Sequence, residues 1–233
     1  MEKSKVYFIK EITSENLIKI YETLGIQLKG KVAVKLSTGE AGGHYFLNPN
    51  LIKDLVHKVN GTIVECNTAY GGKRDKTEDH WKAIKDHGFI DIATVDIMDE
   101  EGDMPIPVEN GFHLKEDYVG THLKNYDSIL VLSHFKGHAM GGFGGALKNI
   151  SIGIGSSKGK LWIHSAGKSM NQAEVWNNLP EQDDFLESMA DASEAVINYM
   201  GKENMVYISI ANNLSVDCDC DSNPHAPEMA DLG

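Results

Sequence analysis

Short apolar runs and amphipathic stretches alternate along this 233-residue chain. The runs Lys31 to Leu36 (KVAVKL), Thr62 to Cys66 (TIVEC), Ile129 to Leu132 (ILVL) and Met205 to Ala211 (MVYISIA) have the length and bulk of buried strands. Between them the apolar period lengthens to that of a helix. Ser14 to Leu24 reads as a helix capped at Thr13 or Ser14. Asn48 caps and Pro49 opens another to about Val59, with Leu51, Ile52, Leu55, Val56 and Val59 on one face. Thr77 to His87 is a third, stopped by Gly88. Gln182 to Tyr199 is the clearest, with Phe185, Leu186, Met189, Ala192, Val196 and Tyr199 at helical spacing and Gly201 as its stop. Strand, helix, strand order builds parallel sheets with right-handed crossovers. The expected fold is α/β: a single domain over residues 1–233, with an open, mostly parallel sheet and helices on both faces.

Weaker patterns complete the expectation. Val6 to Ile9 is an edge-strand candidate, and Ile90 to Met98 reads as a strand. Asp99 to Asp103 reads as a solvated acidic turn. The prolines in Met104 to Val108 confine that stretch to irregular or edge structure, an antiparallel partner being His113 to Tyr118. Val119 to Asn125 reads as a short helix and Ser156 to Lys160 as a lysine-rich loop, while Leu161 to Ala173 receives no assignment.

The loops that follow the four strands are TGEAGGH, NTAYGGKRD, SHFKGHAMGGFGG and NNLSVDCDCDSNPH, and they hold most of the polar, glycine and sulfur chemistry. In an open parallel sheet these loops share one edge, where crevices form, so they are expected to meet. The third loop leads into Ala146-Leu147-Lys148-Asn149, which can wind into a helix. Gly141, Gly142, Gly144 and Gly145 there would let backbone N–H groups approach an anion beside the first helical turn; the bland alternative is tight packing of a helix on the sheet. No nucleotide motif is present: Gly142-Phe143-Gly144-Gly145 fits the dinucleotide fingerprint poorly, and no phosphate-loop sequence occurs.

Composition changes the picture in three places. With 34 acidic against 22 basic residues the net charge is −12, which sets a repulsive field against nucleic acid. No apolar run approaches the roughly 20 residues of a membrane span, and MEKSKVYFIKEI lacks an apolar signal core. The reading is a cytoplasmic protein with no membrane or nucleic-acid partner; a homo-oligomer is left open. Arg74 is the single arginine in the chain. Its flat fork suits two-point recognition of a carboxylate or phosphate, so Arg74→Lys is expected to weaken ligand binding and hardly change stability.

Three cysteines, two of them one residue apart, do not make a disulfide framework and suit a reducing compartment. In Asp217-Cys218-Asp219-Cys220-Asp221 an extended backbone would put two thiolates on one side, a start for zinc or iron, and carboxylates on the other. His134 and His138, flanking Lys136, offer nitrogen ligands or a neutral-pH acid and base, and Glu40 and His44 could serve likewise. Cys66 reads as a small buried residue.

SHFKGHAMGGFGGALKNISIG, the STGE loop, AYGGKRD and the closing NNLSVDCDCDSNPHAPEMADLG together resemble, over nearly the whole chain, the uncharacterised Fe–S centre protein family, domain of unknown function 362. The resemblance implies a cytoplasmic α/β protein of bacteria or archaea, linked by name to iron–sulfur centres and without an assigned function. Many relatives carry a ferredoxin-like cysteine insert, but Lys160 to Tyr199 has no cysteine here, and three cysteines cannot complete an all-cysteine cluster in one chain. An iron–sulfur cluster is therefore doubtful. Relatives also usually continue past ADLG, so the resemblance leaves open a natural short form or a chain truncated at Gly233.

Together these readings predict a crevice holding two components. One is a divalent metal, zinc or iron, on Cys218 and Cys220 with His134 or His138 and with Asp217 and Asp219 nearby. The other is a small anionic molecule held by Arg74, Lys73, Lys148, Asn212 and the glycine loop, with His134, Lys136, His138 and Glu40 as catalytic candidates. An electron-transfer protein and a noncatalytic scaffold are the alternatives.

Overall fold

The computed structural model describes residues 4–221 and 223–233; residues 1–3 of the N-terminal stretch and Ser222 of the closing segment lie outside the described residues. In chain order the elements are α1 Ser14–Thr23, β1 Val32–Lys35, α2 Pro49–Lys58, β2 Gly61–Glu65, α3 Thr77–Asp86, β3 Val95–Ile97, β4 Asp103–Pro107 and β5 Glu116–Gly120. They continue as β6 Ser128–His134, β7 Lys136–His138, β8 Gly142–Gly144, α4 Ala146–Ile150, α5 Ser157–His164, α6 Gln172–Asn177, α7 Gln182–Met200 and β9 Met205–Ile210.

The apolar runs lie side by side as one parallel sheet in the order β3-β2-β1-β6-β9. Side chains alternate across its two faces, which explains why nearly every position is apolar. Val32, Val34, Ile63, Leu130 and Leu132 pack with residues of α1, α2 and α3. Ala33, Val64, Ile129 and Val131 pack on the other face with α4, α5 and α7. The chain thus winds outward from β1 through β2 to β3, then returns to place β6 on the other side of β1. That reversal makes the β1/β6 junction the topological switch point, the place where a crevice opens at the carboxyl ends.

Local chemistry explains the helix starts. Thr13 accepts the Asn16 N–H, Asn48 accepts that of Asn50 ahead of Pro49, and Ser156 accepts that of Gly159. The last of these corrects the expected lysine-rich loop: Ser157 to Lys160 is the first turn of α5, whose Leu161 and Ile163 are buried.

Other expectations need adjusting. Val6 to Ile9 is not a strand; Val6 and Phe8 are exposed. The stretch from Ile90 to Met98 yields only the three residues of β3, because Phe89–Asp91 forms a 3-10 turn that sends Phe89 into the helix-side core. The proline segment does pair, β4 with β5 antiparallel, but β5 runs on to Gly120 and leaves only a 3-10 turn over Thr121–Asn125. A second antiparallel pair joins β7 to β8. No helix among the described residues is long and apolar enough to cross a membrane.

Candidate functional site

Two of the buried strands end in a charge. Lys35 closes β1 and Glu65 closes β2, and both side chains are almost fully buried. Lys35 Nζ donates to Glu65 Oε2 at 3.0 Å and to the Leu36 carbonyl at 2.6 Å. Glu65 Oε1 accepts from the Thr38 N–H at 2.8 Å, the Thr38 hydroxyl at 3.1 Å and Arg74 Nη1 at 3.0 Å. Burial alone would raise the Glu65 pKa, but the Lys35 and Arg74 charges outweigh it and hold it down to about 2.

Arg74 is therefore not free to grip a ligand with its fork. Its Nε donates to Glu40 Oε2 at 3.1 Å while Nη1 holds Glu65, so the guanidinium bridges two carboxylates of its own chain. Glu40 is equally engaged, its Oε1 accepting from the Lys73 N–H at 2.8 Å. The reason is positional: Arg74 is 3% exposed, and a cation that deep requires counter-charges. Lys73, expected to touch ligand, contributes its backbone to this cluster. Asp99, expected in a solvated turn, faces inward and accepts from the Asn67 N–H at 2.8 Å and the Ser157 N–H at 3.1 Å.

The end of β6 meets the closing segment. His134 Nδ1 lies 2.8 Å from Asp219 Oδ2, and Nε2 lies 2.7 Å from the Asn212 carbonyl. Lys136 Nζ donates to Asp219 Oδ1 at 3.1 Å, and the Glu40 N–H donates to the Asp219 carbonyl at 2.8 Å. Asp219 thereby joins three loops. Burial would raise its pKa, but the charge of His134 and the hydrogen bonds from His134 and Lys136 bring it below the usual value. Gly137 lets this segment close in, since a Cβ there would collide with the Val216 backbone. His134 is held between these two partners, and among the described residues neither it nor Asp219 falls in a group of donor atoms close enough to share a metal ion. His134 and Asp219 are corrected from metal ligands to a clamp, and Lys136 from a catalytic group to part of it.

The glycine stretch is not a strand-loop-helix cradle. Gly142 and Gly144 belong to the β7–β8 ribbon, Gly141 and Gly142 sit at its tip, and α4 is a single short turn of five residues. Gly144 and Gly145 do border a cavity, and so does Lys148.

That cavity is a chamber of about 90 Å³ at the β1/β6 switch point. Five cations line it, Lys35, Arg74, Lys136, Lys148 and Lys160, against two carboxylates, Glu65 and Asp219. Counting Glu40 and Asp99 behind the wall still leaves one positive charge over. Four cations have partners, Lys160 through the Gly155 carbonyl at 2.6 Å. The Lys148 ammonium has no hydrogen-bond or ion-pair partner among the described residues. Burial lowers its pKa to about 8; Asp219 opposes the shift, while Arg74, Lys35 and Lys160 add to it.

Outside lies a crevice of about 860 Å³, walled by His138, Met140, His164, Trp176 and Lys73 among others. Tyr70, Lys148, Cys218 and Cys220 line both spaces and stand at the passage between them. Tyr70, His164 and Trp176 form an aromatic cluster with centroids 5.2–5.6 Å apart. His164 Nδ1 pairs with the Lys160 carbonyl at 2.6 Å, which leaves the lone pair of the neutral ring on Nε2. Burial pushes the pKa of His164 down to about 4.

Cys218 and Cys220 are joined in a disulfide, which corrects the expectation of two free thiols. His138 lies beside them, and one ligand atom from each of the three residues falls within 4.8 Å of the others. The Gly141 N–H donates to His138 Nδ1 at 2.9 Å. Asp217 is turned to His225, 2.7 Å from its ring nitrogen, and the Asn212 side-chain oxygen, outside the chamber wall, is buried with no partner among the described residues. Cys66 is buried and donates to the Ile154 carbonyl.

Several site residues escaped the sequence reading. Lys35 and Glu65 carried a signal, a charge within an otherwise apolar strand, which is costly unless paired. Lys160 and His164, four residues apart, share a helix face, but that face was hidden while Ser156 to Lys160 read as a loop.

The profile of the family described as "Domain of unknown function (DUF362)" matches residues 32–233, and the chain belongs to that family. No curated protein sequence matches it. A similar solved structure is the lactate racemase apoprotein from Thermoanaerobacterium thermosaccharolyticum, at 14% identity and a TM-score of 0.49, covering 86% of this chain and 49% of that one. The chain spans about half the length of that protein.

Proposed function

We propose, proceeding from membership of the DUF362 family, that this protein is an enzyme acting on a small molecule bound through a carboxylate or phosphate group. The observation that carries the reading is Lys148, a cation in a chamber whose other four cations all have partners. A half-buried ammonium with no counter-ion, set among other cations, is stabilised by an anion that comes to it. The chamber accommodates the anionic head and the outer crevice the rest of the molecule, whose body lies against Tyr70, His164 and Trp176. His164 Nε2 is the proton acceptor on that wall, and Lys148, with a pKa of about 8, neutralises the head group.

A divalent cation, zinc or iron, is the second component of this reading. Cys218, Cys220 and His138 form a soft donor set for it once the two sulfurs are thiols, and it would supply a Lewis acid at the passage. No step above depends on it.

Titration calorimetry with orthophosphate and a panel of small mono- and dicarboxylates tests the anion part. At least one is expected to bind the wild type and to lose roughly 10- to 100-fold in affinity on Lys148→Met, the loss typical of one hydrogen bond to a charged group. A panel in which nothing binds, or in which the variant binds as well as wild type, overturns it.

A further inference from the structure

The disulfide and the donor cluster use the same two sulfurs. Cys218 and Cys220 cannot be joined to each other and hold a metal as thiolates at once, and both arrangements are compatible with where the chain puts them. Their position is held from outside the pair. Asp219, between them, is anchored to His134 and Lys136 through its carboxylate and to the Glu40 N–H through its carbonyl, while the Gly137 N–H holds the Ser215 carbonyl at 2.9 Å. Breaking the S–S bond therefore leaves the loop fastened. The sulfurs line the outer crevice, so a small reagent can reach them, and they border the chamber, so whatever they hold faces its entrance.

We propose that Cys218, Cys220 and His138 form a redox-gated site for a thiophilic divalent cation of the zinc class at the mouth of the chamber, closed while the two sulfurs are joined. This rests on the metal part of the reading above and not on the anion part. A small dithiol can open the site. Its thiolate attacks one sulfur, the S–S bond breaks and a mixed disulfide forms; its second thiol then displaces the protein sulfur and departs as a cyclic disulfide. The protein gains two electrons and two protons. Zinc binding would release those two protons to solvent and place two thiolates and one imidazole on the metal, a three-residue set that leaves a fourth position for water or ligand. Closing needs a two-electron oxidant such as hydrogen peroxide: the metal leaves, the thiolates give up two electrons as the S–S bond forms, and the hydrogen peroxide takes two protons and becomes two waters. His138 must release its contact with the Gly141 N–H or move its proton from Nε2 in order to bind, so loading also changes the turn at the ribbon tip.

The full chain is tested in phosphate-free buffer without added anion. One sample is oxidised; the other is reduced under argon with a phosphine and desalted, and its thiols are counted without denaturant. Zinc is titrated against a chromophoric chelator. The reduced protein is expected to take up about one equivalent and the oxidised protein less than about a tenth. Cobalt in place of zinc should give a thiolate-to-metal charge-transfer band in the reduced sample only. His138→Ala should weaken zinc at least about tenfold while leaving the thiol count unchanged. Equal uptake in both redox states overturns the gate but leaves the metal part standing. Uptake in neither state overturns both, as does a sulfur pair that resists reduction in the folded protein. Undiminished affinity in His138→Ala removes His138 from the site and overturns the proposal as stated. Should that variant not fold, the comparison of the two wild-type redox states decides alone.

Discussion

The two walls of the chamber both carry charge, and they differ in whether that charge is paired. On the β1/β2 wall, Lys35, Glu65, Arg74 and Glu40 form a closed chain of ion pairs at 3.0–3.1 Å, and the loop N–H groups of Thr38 and Lys73 complete it. On the α4 wall, Lys148 stands in the same cavity with no partner among the described residues, near a helical turn that carries no carboxylate. The paired wall fixes loop positions. The unpaired one leaves a charge facing the cavity, the feature that the proposed anion would use.

The largest effect should follow from breaking the paired wall. Glu65→Gln leaves Lys35 and Arg74 buried without their shared counter-ion and is expected to cost about 3–5 kcal/mol in urea denaturation. Lys148→Met should change stability by less than about 0.5 kcal/mol, because the half-buried ammonium has no hydrogen bond or ion pair to lose among the described residues. If Lys148→Met destabilised the fold as much as Glu65→Gln, the contrast would collapse and Lys148 would be one more structural cation.

Arg74→Lys is the intermediate case. An ammonium cannot span Glu40 and Glu65 as the guanidinium does, so a loss of roughly 1–3 kcal/mol in stability is expected for one broken charged hydrogen bond. This reverses the expectation from sequence, in which the substitution touched binding and spared stability. A melting temperature equal to wild type would restore the earlier role.

Acidity sharpens the comparison further. His80 and His164 are held neutral, to about 3 and about 4, chiefly by burial. Their folded values lie below the roughly 6.5 of an unfolded histidine, so the unfolded chain takes up protons first; stability is full above about pH 6.5 and falls on acidification. Glu65, depressed to about 2 against roughly 4.3 when unfolded, adds a second loss below about pH 4.5. Calorimetric melting temperatures should therefore decline from about pH 6.5 downward and more steeply below about pH 4.5.

Asp117 is a case away from the site: it is fully buried and lines neither space; its Oδ1 accepts the Tyr118 N–H and its Oδ2 has no partner among the described residues. Burial raises its pKa to about 7. A folded value above the unfolded one means a contribution that is full below about pH 3.9 and lost as pH rises through about 7. Asp117→Asn should raise the melting temperature at pH 8 and leave it nearly unchanged at pH 4. Lys148, by contrast, borders a cavity, and this difference is why only Lys148 is assigned a ligand.

What the sequence determined by itself is the frame. Runs such as KVAVKL and TIVEC have too few polar positions to face water on either side, so they must be central parallel strands, and the helices between them must cover both faces. The order of those elements also requires their carboxyl-end loops to share one edge, which is where Lys35, Glu65, His134 and the closing segment lie. The sequence could not show which charges there neutralise one another. Arg74 meets Glu40 across 34 residues and Asp219 meets His134 across 85, and pairing at such separations depends on how closely loops approach in three dimensions. The same holds for the two sulfurs and for Lys148: whether a thiol is joined or a lysine is left without a partner is decided by the distance to neighbours that only the packed fold supplies, because a buried charge or sulfur takes its chemistry from what surrounds it.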